Sequence, residues 1–198
     1  MKSFTQPSRL AAAFCAALAL AACGGSGDGD LYLAGSISGL TKEGLVLENR
    51  GNGDTKTIPA FAQAFVFDKR LDNDESFDVQ IKTQPNGAVC TPHFNRGRTG
   101  SYSIESVEIR CVTNSYQLGG TISGLTGTGM VLINGADKLN VAPGATTFTM
   151  PTKVADGGAY GLIIFTQPAG QQCAVTSGAA TGVMGSTDKL NAVHITCQ

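Results

Sequence analysis

The chain offers few side chains that could act as catalysts. Its 198 residues include only two histidines, His93 and His194, and just 15% of the residues are charged. Neither histidine belongs to a nucleophile motif, and Gly35-Ser36-Ile37-Ser38-Gly39 has isoleucine where a nucleophile elbow needs serine. General acid–base catalysis requires positioned partners, and the sequence places none beside either histidine. We therefore interpret both as surface residues and expect a non-enzymatic protein without a cofactor.

The densest acidic run is Asp68, Asp72, Asp74, Glu75 and Asp78. Asp72 and Asp74 match early ligand positions of a calcium-binding EF-hand loop, but the required glycine and closing glutamate are missing further along. A zinc site would be expected to have Cys-x-x-Cys spacing, which the sequence also lacks. We interpret the acidic run as a solvated turn and expect no metal site.

The sequence contains an internal duplication. Four blocks recur in the same order: Gly35–Thr41 as Gly120–Thr126, Gly44–Asn49 as Gly129–Asn134, Thr83–Gly87 as Thr166–Gly170, and Val107–Cys111 as Val193–Cys197. Repeated blocks of this kind indicate repeated structural units. The duplication predicts one module at residues 31–112 and a second at 118–198, joined by a linker at 113–117.

Each module has the sequence pattern of short β-strands. Phe77, Val79 and Ile81 alternate with polar residues, as expected of a half-buried strand, and no useful window shows helical periodicity. The 26 glycines and the Asn, Asp and Pro clusters supply frequent turns. The pattern predicts an all-β fold of two tandem antiparallel sandwiches, with six or seven strands in each. The layout resembles a prealbumin-like or immunoglobulin-like β-sandwich.

The cysteines of the modules are expected to form disulfides. Cys90, Cys111, Cys173 and Cys197 allow three pairings, and each repeat holds one pair at equivalent places. The duplication favours Cys90 with Cys111 and Cys173 with Cys197, one bond within each module. Cys111 and Cys197 share the strand parity of inward-facing residues, so we expect their sulfur atoms at the core.

The N-terminus has the pattern of an export signal. Lys2 and Arg9 precede the apolar run Leu10–Ala22, which is too short to span a bilayer. Leu20-Ala21-Ala22-Cys23 resembles the lipobox of bacterial lipoproteins. That resemblance implies a signal peptide at 1–22, lipidation of Cys23 and a flexible tether at 23–30. It also implies a lipid-anchored protein at the bacterial outer membrane, exposed to the periplasm or the cell surface.

The function inferred from the sequence is binding rather than catalysis. A formal net charge of -1 without a basic block argues against nucleic-acid binding. The paired Cys-containing repeats are similar to tandem repeats of proteobacterial secreted proteins and lipoproteins. We expect a structural, adhesion or binding module whose partner, besides the membrane, is an envelope or extracellular protein or a glycan. The alternative is an enzyme or accessory subunit with a site in the cleft between the modules.

One segment of the first module is a candidate binding loop. Thr91–Ser101 carries His93, Phe94, Arg96 and Arg98, whereas its counterpart Ala174–Thr187 is uncharged and rich in Gly and Ala. Loops that differ between copies of one scaffold are where recognition is expected. The alternative interpretation is an ordinary surface loop.

Overall fold

The computed structural model describes residues 29–198, so the predicted signal peptide, the lipidation residue Cys23 and most of the tether lie outside the described residues. All regular structure between residues 29 and 198 is β-strand. In that range there is no helix with the length and hydrophobicity that crossing a membrane would require. The predicted all-β fold is confirmed.

The first half of the chain forms two four-stranded sheets, with strand orders β4-β1-β8-β6 and β3-β2-β5-β7. The strands are β1 (Leu33–Ser38), β2 (Leu45–Asn49), β3 (Asp54–Ile58), β4 (Ala64–Val66), β5 (Ser76–Thr83), β6 (Ala88–His93), β7 (Arg96–Arg98) and β8 (Ile104–Thr113).

The second half repeats this arrangement with strand orders β13-β10-β18-β16 and β12-β11-β15-β17. Its strands are β10 (Leu118–Ser123), β11 (Met130–Asn134), β12 (Asp137–Val141), β13 (Thr147–Thr149), β15 (Ala159–Thr166), β16 (Cys173–Gly178), β17 (Thr181–Val183) and β18 (Lys189–Cys197). A separate two-stranded ribbon joins β9 (Ser115–Tyr116) to β14 (Val154–Ala155). The segment expected to be a linker therefore carries a short strand.

Each half has eight strands in its two sheets, rather than the six or seven expected. The difference lies in short edge strands such as β4 and β7, each three residues long. Three residues are too few to display the two-residue alternation by which a strand is recognised in a sequence.

The first and last strands of each half lie side by side and run parallel, whereas the other strand pairs are antiparallel. Gly35 is opposite Val107 in this pairing, and the ring of Phe65 lies against it. A Cβ atom at position 35 would be 2.2 Å from the Val107 carbonyl oxygen and 2.8 Å from the Phe65 ring. Glycine recurs here because the strands and the aromatic ring approach this closely.

Each half buries its own hydrophobic cluster, and each cluster includes one disulfide. Cys90 and Cys111 are directly opposite each other on β6 and β8, and Cys173 and Cys197 on β16 and β18. The predicted pairing within modules is confirmed, and all four cysteines are buried as expected for the core. Both bonds therefore join neighbouring strands of one sheet.

The repeated Thr-Gln-Pro motif holds the start of the strand that carries the first cysteine. The Gln84 side chain donates from Nε2 to the Cys90 carbonyl oxygen at 3.0 Å and accepts from the Cys90 amide at 2.8 Å. Gln167 makes the same two bonds to Cys173, at 3.0 and 2.8 Å. A primary amide offers both a donor and an acceptor, which explains why glutamine recurs before each disulfide.

Candidate functional site

The predicted binding loop does not form one open loop. His93 ends β6, Phe94 lies in the turn that follows, and Arg96 and Arg98 belong to the edge strand β7. Phe94 is 67% exposed and has a backbone φ of 51°. His93 is opposite Glu108 in the strand register and half-buried. The four side chains are therefore spread over two strands and a turn.

Both arginines of this segment have carboxylate partners on the protein. Arg96 Nε donates to Asp78 Oδ1 at 2.9 Å, and Arg98 Nε donates to Asp74 Oδ1 at 2.8 Å. The Arg98 guanidinium lowers the pKa of Asp74 below its usual value, and the carboxylate in turn raises the pKa of Arg98. An acidic ligand would have to compete with these carboxylates, so the paired arginines are poor anchors for it.

Two more side chains of the acidic run have partners within the first half. Besides the two arginine partners, Asp68 accepts a bond from Lys56 at 2.6 Å and Glu75 accepts one from the Asp72 amide at 2.7 Å. Between residues 29 and 198 no group of three or more His, Cys, Asp or Glu side chains could hold a metal ion. These carboxylates serve as partners of cations and turn amides.

The junction between the halves contains a polar clamp centred on Asp156. Lys42 Nζ donates to Asp156 Oδ1 at 2.7 Å and to the Asp156 carbonyl oxygen at 2.8 Å, and Ser186 Oγ donates to Oδ2 at 2.9 Å. The hydrogen bonds from Lys42 and then from Ser186 lower the pKa of Asp156. Main-chain bonds run from Asn114 to Gly87 and from Asp156 to Asn114.

The clamp brings a carboxylate, an ammonium and a hydroxyl group together between the halves. A carboxylate whose pKa is lowered is a weak base, so Asp156 is unsuited to activating the Ser186 hydroxyl. Neither histidine hydrogen-bonds to the group: His194 pairs with Thr121 on the outer face of β18, with Nδ1 2.5 Å from Oγ1. The arrangement is that of a structural contact.

The two halves differ in the chemistry of the outward face of one sheet. In the second half this face of sheet β12-β11-β15-β17 exposes apolar side chains, which we call the apolar sheet face: Ile133, Ile163, Phe165 and Val183. Ile163, Phe165 and Val183 are 52, 59 and 59% exposed. The equivalent positions of the first half, in the same order, hold Glu48, Gln80, Lys82 and Arg98.

Ile133, Ile163 and Phe165 are neighbours on this face, whereas Val183 lies further along it, beyond Gly161 and Thr181. Ile133 and Ile163 are directly opposite each other on β11 and β15, and Val183 lies opposite Ala159 at the edge of the sheet. Lys138 extends its ammonium over the Phe165 ring, with Nζ 5.2 Å from the ring centre. In the first half Lys82 instead donates to Glu48 at 3.1 Å. Four positions that are polar or charged in one copy are therefore apolar in the other, with Lys138 beside them.

The sequence contains a sign of this face that a comparison of the repeated blocks alone does not show. The strand Asp78-Val79-Gln80-Ile81-Lys82 alternates polar and apolar residues, but its counterpart Gly161-Leu162-Ile163-Ile164-Phe165 has no polar residue. An unbroken apolar strand indicates burial on both faces, whereas here one face is exposed. Charged side chains also fall from nineteen at 31–112 to six at 118–198.

Comparisons with known proteins found only distant structural similarity, at low sequence identity. No protein-family model matches the chain, and no curated protein is similar to it in sequence. A solved C-terminal fragment of the pilus adhesin SpaC from Lactobacillus rhamnosus GG is 10% identical, with a TM-score of 0.39, covering 84% of this chain and 96% of that one. The major pilin protein T-13 from Streptococcus pyogenes is also 10% identical, with a TM-score of 0.31, covering 84% and 95%. The functional interpretation therefore depends on the chain's own residues.

Proposed function

We propose that this protein is a non-enzymatic adhesion module of the bacterial cell envelope whose apolar sheet face binds a partner protein. The lipobox-like Leu20-Ala21-Ala22-Cys23 supports anchoring to the outer membrane through lipid on Cys23. Several acyl chains on one residue would make that attachment stable. The anchored chain would hold its two sandwiches at the membrane, facing the periplasm or the exterior.

The apolar sheet face carries the proposal because the fold does not require it. The first half builds the same sheet with Glu48, Gln80, Lys82 and Arg98 on that face. Large contiguous apolar patches are uncommon on monomers and often mark contact sites for other molecules. Such a patch in one copy, with polar and charged residues in the other, supports a binding role for the second half.

The test replaces apolar residues of the apolar sheet face with the residues found at the equivalent positions of the first half. The triple variant Ile133→Glu, Ile163→Gln and Phe165→Lys restores the first half's pattern, and cells producing the full chain are assayed for attachment to matrix-coated surfaces and to cells lacking the protein. Burial of one such side chain contributes about 1.5–3 kcal/mol, so attachment should fall at least tenfold. The melting temperature should be unchanged, because these side chains face outward.

A matched control is available in the first half. Glu48→Gln with Lys82→Gln alters the equivalent face without touching the apolar one, and it should leave attachment at the level of the parent chain. Equal attachment by the triple variant and the parent would refute the proposed role of the face. The intact mass of the membrane-extracted protein separately tests the anchor, since acylated Cys23 adds the mass of its lipid.

A further inference from the structure

A second surface, on the first half, has the features of a peptide-binding edge. Strand β4 (Ala64–Val66) is the last strand of sheet β4-β1-β8-β6, and β1 pairs with one side of it only. Gln63 and Phe67 hydrogen-bond to β1 residues, and Phe65 is opposite Gly35. Because main-chain groups of a strand alternate in direction, those of Ala64 and Val66 point to the open edge.

The surface is concave on both sides of this edge. On the inner side, a cavity of about 320 Å³ lies between β4 and β3; its lining is mainly apolar, with Ile58, Pro59, Ala62 and Phe65, and it includes Lys56, which is paired with Asp68. On the outer side, a cavity of about 510 Å³ is lined by Tyr32, Ser36 and Glu105 among others. Tyr32 Oη donates to Glu105 Oε1 at 2.6 Å, and this carboxylate raises the pKa of Tyr32.

Phe61 stands in the turn between β3 and β4, two residues from Pro59 and next to Ala62. It is 72% exposed and has a backbone φ of 64°, a region that bulky residues rarely occupy. Its amide donates to the Leu40 carbonyl oxygen at 3.0 Å. In the second half the equivalent bond, 2.9 Å from Gly144 to Leu125, is made by glycine with φ of 78°.

The comparison shows that the turn does not need an aromatic residue. Glycine adopts this backbone without steric penalty, and the exposed Phe61 ring adds little to the core. Residues held in unfavourable backbone conformations cluster at functional sites. The edge strand is also more apolar in the first half, where Ala64 and Val66 stand at the positions of Thr147 and Thr149 in the second half.

We propose that the β4 edge binds an extended peptide of a partner protein, which adds to the sheet as a further strand. Its main chain would pair with Ala64 and Val66, the mode of recognition known as β-augmentation. The side chain opposite Phe65 would enter the inner cavity, and the exposed ring of Phe61, which adjoins the lining residue Ala62 in the chain, would cover it. Side chains opposite Ala64 and Val66 would face the outer cavity, whose only charged lining residue is Glu105. The ligand is therefore a strand that alternates apolar with basic residues.

The test uses an eight-residue peptide that alternates valine with lysine, added to the full chain. Binding should slow amide hydrogen exchange at Ala64 and Val66, and the same peptide with N-methyl groups on its edge-facing amides should bind at least fivefold more weakly. Phe61→Gly should also weaken binding at least fivefold while the melting temperature stays equal or rises. Phe94→Gly is the control, because Phe94 is a second exposed phenylalanine with positive φ, and it should bind as the parent does.

Equal binding by the Phe61→Gly and Phe94→Gly variants would overturn the proposal, as would unchanged exchange at Ala64 and Val66. Dimerisation of the chain alone that Phe61→Gly abolishes would assign the edge to a second copy and also overturn it. The apolar sheet face is on the other half of the chain, so the outcome here is independent of the attachment assay.

Discussion

Single residues of this protein are best understood by comparing the two copies. Gln84 and Gln167 occupy equivalent positions and make the same two hydrogen bonds, each to the backbone of a disulfide cysteine. Phe61 and Gly144 share a backbone conformation but not a side chain. Residues that agree in both copies serve the fold, and residues that differ while the backbone agrees are candidates for function.

Replacement of Gln167 tests whether a residue shared by both copies stabilises the fold. Gln167→Glu keeps the acceptor for the Cys173 amide but loses the donor to the Cys173 carbonyl oxygen, and it brings a carboxylate against that oxygen. Loss of a hydrogen bond to a part-buried group costs about 1–3 kcal/mol. Denaturant unfolding should show a loss of that size, which shrinks in acid because a protonated carboxyl group can donate again. The exposed neighbour provides the control, and Gln172→Glu should be nearly neutral.

At the scale of elements, the disulfides tie the last strand of each half to its neighbour. Their separations of 21 and 24 residues are similar, so the chain-entropy model predicts nearly equal stabilisation, about 3 kcal/mol for each bond. We expect Cys90→Ala with Cys111→Ala, and Cys173→Ala with Cys197→Ala, to lower the free energy of unfolding by comparable amounts in guanidinium titrations. A pair that costs nothing would show that its half is held by packing alone.

The elements also show what the sequence could and could not predict. Alternation along Phe77–Ile81 and the parity of Cys111 predicted strands and buried sulfur atoms, because periodicity reports which side chains face the core. Periodicity says nothing about which strand lies alongside, so the parallel pairing of β1 with β8 was not predicted. The apolar sheet face was legible in Gly161–Phe165, but its meaning depended on knowing that β15 is covered on one side only.

At the scale of the whole molecule, the Lys42–Asp156 contact joins the two halves. Its side chains are only 23 and 12% exposed, so solvent screens the pair less than it screens the surface pairs. The main-chain hydrogen bonds of Asn114 and the pairing of β9 with β14 hold the connecting segment 113–117 against both halves. The Lys42–Asp156 contact adds a side-chain link at the same junction. The halves are therefore coupled through the junction.

The coupling should depend on pH. The pKa of Asp156 is lowered in the folded chain, so the stability it contributes is present above the ordinary carboxyl pKa, about 3.9, and is lost as the pH falls through the lowered value. Thermal unfolding should show Asp156→Asn to be less stable than the parent at pH 7, with the difference disappearing in strong acid. Asp68→Asn, which breaks an exposed pair with Lys56, should have little effect at either pH. A deficit that persists unchanged in acid would contradict the assignment.

The parallel pairing of the first and last strands in each half has a mechanical consequence. The chain enters β1 at one end of the pair and leaves β8 at the opposite end, and the same is true of β10 and β18. Tension applied along the chain would therefore load each pair in shear, so that all of its hydrogen bonds resist together instead of opening one after another. The disulfides would also prevent extension of the residues they enclose. A chain built in this way is suited to remaining folded under a pulling force.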